Sequence, residues 1–102
     1  MDAPVKLLLT WDIAPEHEQD YFEFILGEFV PGIQRLGLQP SDAWATIWGE
    51  YPQIQVSVLA ASLEAARSTI ASEGWTDLHD KLAAFVRNYA CKIVPVRGSF
   101  QF

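Results

Sequence analysis

The sequence has little of three things: cysteine, basic residues and long hydrophobic runs. Its 102 residues include a single cysteine, Cys91, so no internal disulfide can form and nothing indicates secretion. Seven Lys and Arg stand against 13 Asp and Glu, and the formal net charge of −6 disfavours nucleic acid and anionic membranes as partners. The apolar run from Val5 is broken by Thr10 and Asp12, so we expect neither a signal peptide nor a membrane span. These absences favour a soluble, cytoplasmic protein.

Aromatic side chains, by contrast, are abundant. They make up 13% of the chain and include four tryptophans. Large rings bury much area and often line pockets or interfaces. The length suits one domain, residues 1–102, with a single core. We find no Gly-rich phosphate loop, nucleophile elbow or Cys–His zinc spacing, so a nucleotide-dependent enzyme or a hydrolase is disfavoured.

The first third of the chain predicts a strand followed by a helix. The apolar run Val5–Ile13 has the length of a buried strand. Pro15 suits the first position of a helix, and acidic residues follow it in the first turns. Pro31 lies inside the helical pattern and predicts a kink or a short second segment. Gly37 is a natural helix stop.

The rest of the chain predicts a hairpin, a second helical region and a last strand. The hairpin covers residues 42–61, with a turn at 49–53 in which Pro52 blocks further pairing. A helix begins after Ser62, is interrupted by Gly74, and continues to about residue 88 with Tyr89 completing its apolar stripe. The last strand is predicted over residues 90–97.

The β-α-β-β-α-β order predicts an α+β, ferredoxin-like fold, a four-stranded antiparallel sheet with both helices on one face. The arms of the hairpin are apolar on both sides. We therefore expect the sheet face away from the helices to be largely apolar, whichever register holds. It would carry either Trp44, Thr46 and Trp48 or Ala45 and Ile47. An exposed patch of that kind marks an interface, and the simplest cover is a second copy of the chain in a homodimer.

In length and topology the chain resembles the dimeric α/β-barrel superfamily, in particular its antibiotic-biosynthesis-monooxygenase-like and NIPSNAP-like branches. The local motif is SEGWTDLH, residues 72–79, which is similar to the segment where the second helix restarts in these proteins. The resemblance implies a cavity between sheet and helices for a small hydrophobic or aromatic molecule. Some members oxidise such molecules without a cofactor, and some bind haem.

The resemblance also implies that a haem site would need three particular residues. In the haem-degrading members a His at the position of His79 ligates iron, with a Trp about ten residues earlier and an Asn on the first strand. Here the earlier position falls near Thr69, and the chain's single Asn is Asn88. One of three haem-site residues is present, so haem binding through His79 is kept as a minor alternative and no cofactor is expected.

His79 is the candidate catalytic residue. It lies one turn after Trp75, at the border of the apolar stripe. In a hydrophobic pocket it could act as a general base or a metal ligand, with a pKa tuned by burial and hydrogen bonding. The alternative is a boundary histidine bonded to a carbonyl or to water. The acidic run around His17 spreads around its helix, which favours a solvated helix start over a metal site.

Aromatic residues are the candidate ligand contacts. Trp11, Trp44 and Trp48 could stack on a planar ligand, and tyrosine hydroxyls could orient it. The full set of predicted contacts is Trp11, Tyr21, Trp44, Trp48, Trp75 and Tyr89, with Tyr51 offering a further hydroxyl. The alternative is that these rings form the core and the dimer interface. Trp11, at the end of the first strand, is expected at the mouth of the cavity.

Two functions remain open from the sequence. The first is a cofactor-independent oxygenase or related enzyme that acts on a small aromatic molecule, with His79 or a tyrosine handling a proton. The second is a non-catalytic binding or structural dimer in which the aromatic residues only pack.

Overall fold

The computed structural model describes residues 3–48 and 51–96, without the side chains of residues 46–48 and 51–52. Strands alternate with helical regions along the chain. The elements are β1 (Val5–Ile13), α1 (Glu18–Phe24), a π-helical segment (Ile25–Phe29), α2 (Val30–Arg35), β2 (Gln39–Trp48), β3 (Tyr51–Ala60), α3 (Leu63–Ile70), α4 (Glu73–Leu82) and β4 (Val86–Pro95).

The four strands form one antiparallel sheet in the order β2–β3–β1–β4. Side chains alternate strictly along β1, where every second residue from Val5 to Ile13 is buried beneath the helices. Leu7, Leu9 and Trp11 are at most 1% exposed. The α+β, ferredoxin-like arrangement predicted from the sequence is confirmed.

The first helical region begins later than expected. Residues 15–16 form a turn, Glu16 has a φ of 72°, and α1 starts at Glu18 instead of Pro15. The second segment expected at Pro31 is present as α2, which the π-helical segment precedes. The stop at Gly37 is also confirmed. Its φ is 88°, its N–H donates to the carbonyl of Gln34, and the N–H of Leu38 donates to that of Ile33.

The second helical region is shorter than its apolar stripe predicts. Helix α4 ends at Leu82, and β4 already begins at Val86, so Tyr89 lies in a strand. The prediction of a helix to residue 88 is wrong because pairing with β1 overrides the local helical spacing: Ile13 pairs with Val86 and Thr10 with Ala90. Because Tyr89 lies in β4 and not in a helix, the position of its side chain is set by the sheet.

The hairpin strands are longer than predicted. Strand β2 starts at Gln39 and carries a bulge between Pro40 and Asp42. Pro52 does not end the pairing, because it lies opposite Ile47 and the ladder continues to the pair of Trp48 and Tyr51. Residues 49 and 50 of the predicted turn lie outside the described part of the chain.

The sheet face away from the helices, called the open face below, is not the largely apolar surface predicted. The register places Trp44 opposite Gln55, and Gln55 opposite Thr10. Polar and apolar residues therefore interleave on this face: Lys6, Leu8, Thr10, Gln55, Ser57, Leu59, Lys92 and Val94. The register selects the alternative that carries Trp44, but polar residues of the paired strands, including Lys6, Gln55 and Lys92, make the face mixed.

Candidate ligand-binding groove

A groove of about 460 Å³ lies between the β2–β3 hairpin and the first helical region. This volume falls within the range of about 300–1,000 Å³ typical of small-molecule sites. Its lining is mainly aliphatic and aromatic. The residues are Trp11, Tyr21, Phe22, Ile25, Leu26, Phe29, Val30, Ile33, Pro40, Ser41, Asp42, Ala43, Trp44, Ala45, Ile54, Val56 and Val58. An apolar molecule that enters the groove would move from water to a mainly hydrocarbon environment, and this transfer is favourable.

Trp11 and Tyr21 form the inner wall of the groove. The indole N–H of Trp11 donates to the Tyr21 hydroxyl oxygen over 2.8 Å. Both residues are almost fully buried, 1% and 2% exposed. Burial raises the pKa of Tyr21, and the hydrogen bond from Trp11 lowers it by a smaller amount. Trp11 is therefore an inner-wall residue and not the mouth residue that the sequence predicted.

The mouth of the groove is built by residues that the sequence analysis did not single out. Phe22 is 50% exposed and Leu26 is 74% exposed, although both are large and apolar. The π-helical segment brings Ile25, Leu26 and Phe29 to the lining together. Such segments are frequent at functional sites. The available signal was the helical apolar pattern that contains Pro31, to which Phe22 and Leu26 belong.

His79 makes a hydrogen bond through each ring nitrogen, away from the groove. Nδ1 lies 2.8 Å from the carbonyl oxygen of Trp75, and Nε2 lies 2.7 Å from the hydroxyl of Tyr89. A carbonyl can only accept, so Nδ1 carries the hydrogen. Burial lowers the pKa of His79, while the Trp75 carbonyl and Asp80 oppose this shift. A lowered pKa favours the neutral ring, in which Nε2 accepts a hydrogen bond from the Tyr89 hydroxyl.

A β-bulge places Tyr89 beside His79. Two residues of β4, Asn88 and Tyr89, lie opposite the single residue Trp11 of β1. Asn88 adopts a φ of 57°, and its side-chain amide donates to Asp12 over 2.8 Å. The Tyr89 ring consequently stacks on Trp11, with centroids 6.1 Å apart and planes 12° apart. Burial, with a smaller contribution from Cys91, raises the pKa of Tyr89.

The predicted site residues thus fall into two groups that meet at Trp11. Trp11 and Tyr21 line the groove, and Trp44 borders it at the β2 edge, although its register places it on the open face. His79, Tyr89 and Trp75 form the second group on the other side of Trp11, where the Trp75 ring stacks on His79 at 4.1 Å. The Trp48 and Tyr51 side chains lie outside the described part of the chain.

The ring nitrogen of His79 that would bind a haem iron, Nε2, is hydrogen-bonded to the Tyr89 hydroxyl, which iron binding would displace. The bond from Nδ1 to the Trp75 carbonyl is one that metal-ligating histidines also make. Within residues 3–48 and 51–96, no group of three or more His, Cys, Asp or Glu side chains is arranged to hold a metal ion. In the same residues no helix is long and apolar enough to cross a membrane.

Several solved structures share this architecture. A NIPSNAP family protein from Agrobacterium tumefaciens superposes with a TM-score of 0.74 at 15% identity, over 99% of this chain and 91% of that one. SnoaB, a cofactor-independent oxygenase from Streptomyces nogalater, gives 0.66 at 12% identity over the whole of both chains. A dimeric protein of unknown function and ferredoxin-like fold from Bacteroides fragilis gives 0.65 at 13% identity, over 91% and 96%.

The chain has the ferredoxin-like fold of these proteins. The neighbours include NIPSNAP and oxygenase proteins, in agreement with the branches that the sequence resembles. No family model matches the sequence, and no curated protein matches it. At 10–18% identity the likeness shows the fold, so the function has to be argued from the groove itself.

Proposed function

We propose that this protein binds a small, mainly apolar aromatic molecule in the groove. The observation that carries the proposal is the lining, in which aromatic and aliphatic side chains surround a few polar groups, including the Tyr21 hydroxyl and Ser41. Sites of this composition bind by burying ligand surface, and their few polar groups orient the ligand. The exposed rings and aliphatic chains at the mouth, Phe22 and Leu26, extend the apolar surface outward.

Titration calorimetry with 2-acetylnaphthalene tests this function. The wild-type protein should bind with one-to-one saturation. Ala45→Phe places a ring inside the groove, because Ala45 lines it opposite Ile54. The affinity of that variant for 2-acetylnaphthalene should be at least tenfold lower than that of the wild type. Ala83→Phe adds the same ring at an exposed helix end outside the groove and should bind like wild type. No saturable binding, or equal loss in both variants, would reject the proposal.

A second candidate function is cofactor-independent oxygenation, with His79 as the base. The observation that favours it is the neutral His79 paired with Tyr89, whose ring stacks on the groove wall at Trp11. Oxygen can convert an activated CH₂ group to a carbonyl with release of water, so no external reductant is needed. For His79 to act, the substrate would have to reach it past the groove-lining rings of Trp11 and Phe29, which contact the His79–Tyr89 pair. Binding in the groove needs no such rearrangement.

Anthrone incubated with the protein under oxygen tests the second candidate. Formation of anthraquinone above the uncatalysed rate, abolished by His79→Ala, would support it. Turnover that is unchanged in His79→Ala would show that His79 takes no part in the reaction. A rate equal to the protein-free control would leave binding as the function.

We also propose that two copies pair through their open faces in the cytoplasm. Leu8, Leu59 and Val94 are only partly buried on this face, and Trp44 is 52% exposed. The dimeric neighbour from Bacteroides fragilis supports the pairing. The single cysteine, which cannot form an internal disulfide, supports a location in the reducing cytoplasm. Light scattering should give twice the 11.5 kDa chain mass. Leu8→Asp should give monomers, whereas Leu63→Asp on exposed α3 should not. A monomeric wild type would contradict the pairing.

A further inference from the structure

We propose that the groove selects uncharged aromatic molecules that carry a carbonyl oxygen, which accepts a hydrogen bond from Tyr21. This inference rests on the proposed binding function and specifies its ligand class. It follows from the direction of one buried hydrogen bond and from the charges around the groove.

The hydrogen bond between Trp11 and Tyr21 has a fixed direction. An indole nitrogen can only donate, so the Tyr21 oxygen is the acceptor in the 2.8 Å contact. The hydroxyl hydrogen of Tyr21 is therefore not used in that bond. Among the described residues no acceptor for this hydrogen is recorded, although Tyr21 is only 2% exposed. A buried donor without an acceptor is costly, so a ligand that supplies one is favoured.

The groove is where such an acceptor can reach Tyr21. Trp11 and Tyr21 belong both to its lining and to the buried core beneath it. The bond from Trp11 also prepares Tyr21 as a donor. A hydroxyl that accepts one hydrogen bond is polarised and donates a stronger one, and the low dielectric of an apolar site strengthens it further.

The charges at the groove exclude anionic acceptors. Asp42 is the charged member of the described lining, which contains no Lys, Arg or His. A carboxylate or phenolate in the groove would lose its hydration without gaining a cation, and a net charge of −6 would repel it. A neutral carbonyl oxygen avoids this cost and still accepts from Tyr21. A flat ring system suits a lining this rich in aromatic side chains, in which the Trp11 ring of the inner wall meets the Phe29 ring edge to face at 5.9 Å.

A matched pair of probes tests the inference. 2-Acetylnaphthalene and 2-isopropenylnaphthalene have nearly the same shape, but the second carries a CH₂ group in place of the carbonyl oxygen. Calorimetry should show that the wild-type protein prefers the ketone roughly three- to tenfold, the range expected for one neutral hydrogen bond. Tyr21→Phe should abolish this preference, so that the variant binds the two probes with equal affinity.

Each outcome separates this inference from the proposed function. If wild type binds both probes equally, or if Tyr21→Phe keeps the preference, the inference is wrong while the binding function stands. If neither probe binds, the binding function itself fails.

Should Tyr21→Phe not fold, the wild-type protein still decides the question. The ¹³C NMR signal of carbonyl-labelled 2-acetylnaphthalene should move downfield from its position in hydrocarbon solvent when the ketone is bound. An unshifted signal in the bound state would overturn the inference.

Discussion

Replacing Tyr21 with phenylalanine tests the inner wall of the groove through its effect on stability. The variant keeps the ring but leaves the Trp11 indole N–H without its partner at a site that is 1% exposed. A buried donor that loses its acceptor costs about 1–3 kcal/mol. If groove water reaches this N–H, the cost should fall to the lower end of that range, because water then replaces the hydroxyl. For a domain of this size, each kcal/mol lowers Tm by about 4–8 °C.

Urea unfolding of four proteins measures the effect: wild type, Trp11→Phe, Tyr21→Phe and the double variant. In the Trp11→Phe background the donor is already gone, so removing the Tyr21 hydroxyl should cost less than about 0.5 kcal/mol. The coupling free energy between the two sites should therefore be about 0.5–3 kcal/mol. A coupling near zero, with Tyr21→Phe as stable as wild type, would show that this hydrogen bond is not a buried feature of the protein in solution.

Further predictions concern a helix end and a partly buried histidine. Gly37→Ala should lower the free energy of unfolding by about 1 kcal/mol, because a φ of 88° is strained with a side chain, whereas Gly27→Ala, which has open space around it, should not destabilise. Burial lowers the pKa of His79 in the folded state, so the unfolded state binds the proton first and stability is lost as pH falls below about 6.5. Urea unfolding between pH 8 and 5 should show this loss in wild type and in the exposed control His17→Gln, but a weaker one in His79→Gln. An equally steep loss in His79→Gln would exclude His79 as its source.

Local sequence signals were sufficient for the fold. The short apolar run Val5–Ile13 predicted the first strand, and Gly37 ended the first helical region where expected. These features depend on residues close together in the chain. Tyr89 was misassigned because its strand exists through pairing with β1, more than 70 residues earlier in the chain. The helical spacing of its neighbours carried no information about that pairing.

The candidate site could be predicted as a set of residues but not as an arrangement. Trp11, Tyr21, His79 and Tyr89 were all selected as aromatic or titratable side chains in apolar surroundings, and each lies in or beside the inner wall. Their separation into a groove and a Tyr89–His79 pair could not be predicted. It depends on the bulge opposite Trp11, which shifts the side-chain alternation of β4.

The central claim is that a small aromatic molecule occupies the groove, and an NMR titration locates it most directly. Methyl groups of Ile33, Ile54 and Val58 line the groove, whereas those of Ile70 and Ile93 lie outside it. Titration of the methyl-labelled protein with 2-acetylnaphthalene should shift the first three signals with a common saturation curve and leave the other two in place. Shifts confined to Ile70 and Ile93, or no shifts at saturating ligand, would contradict the account.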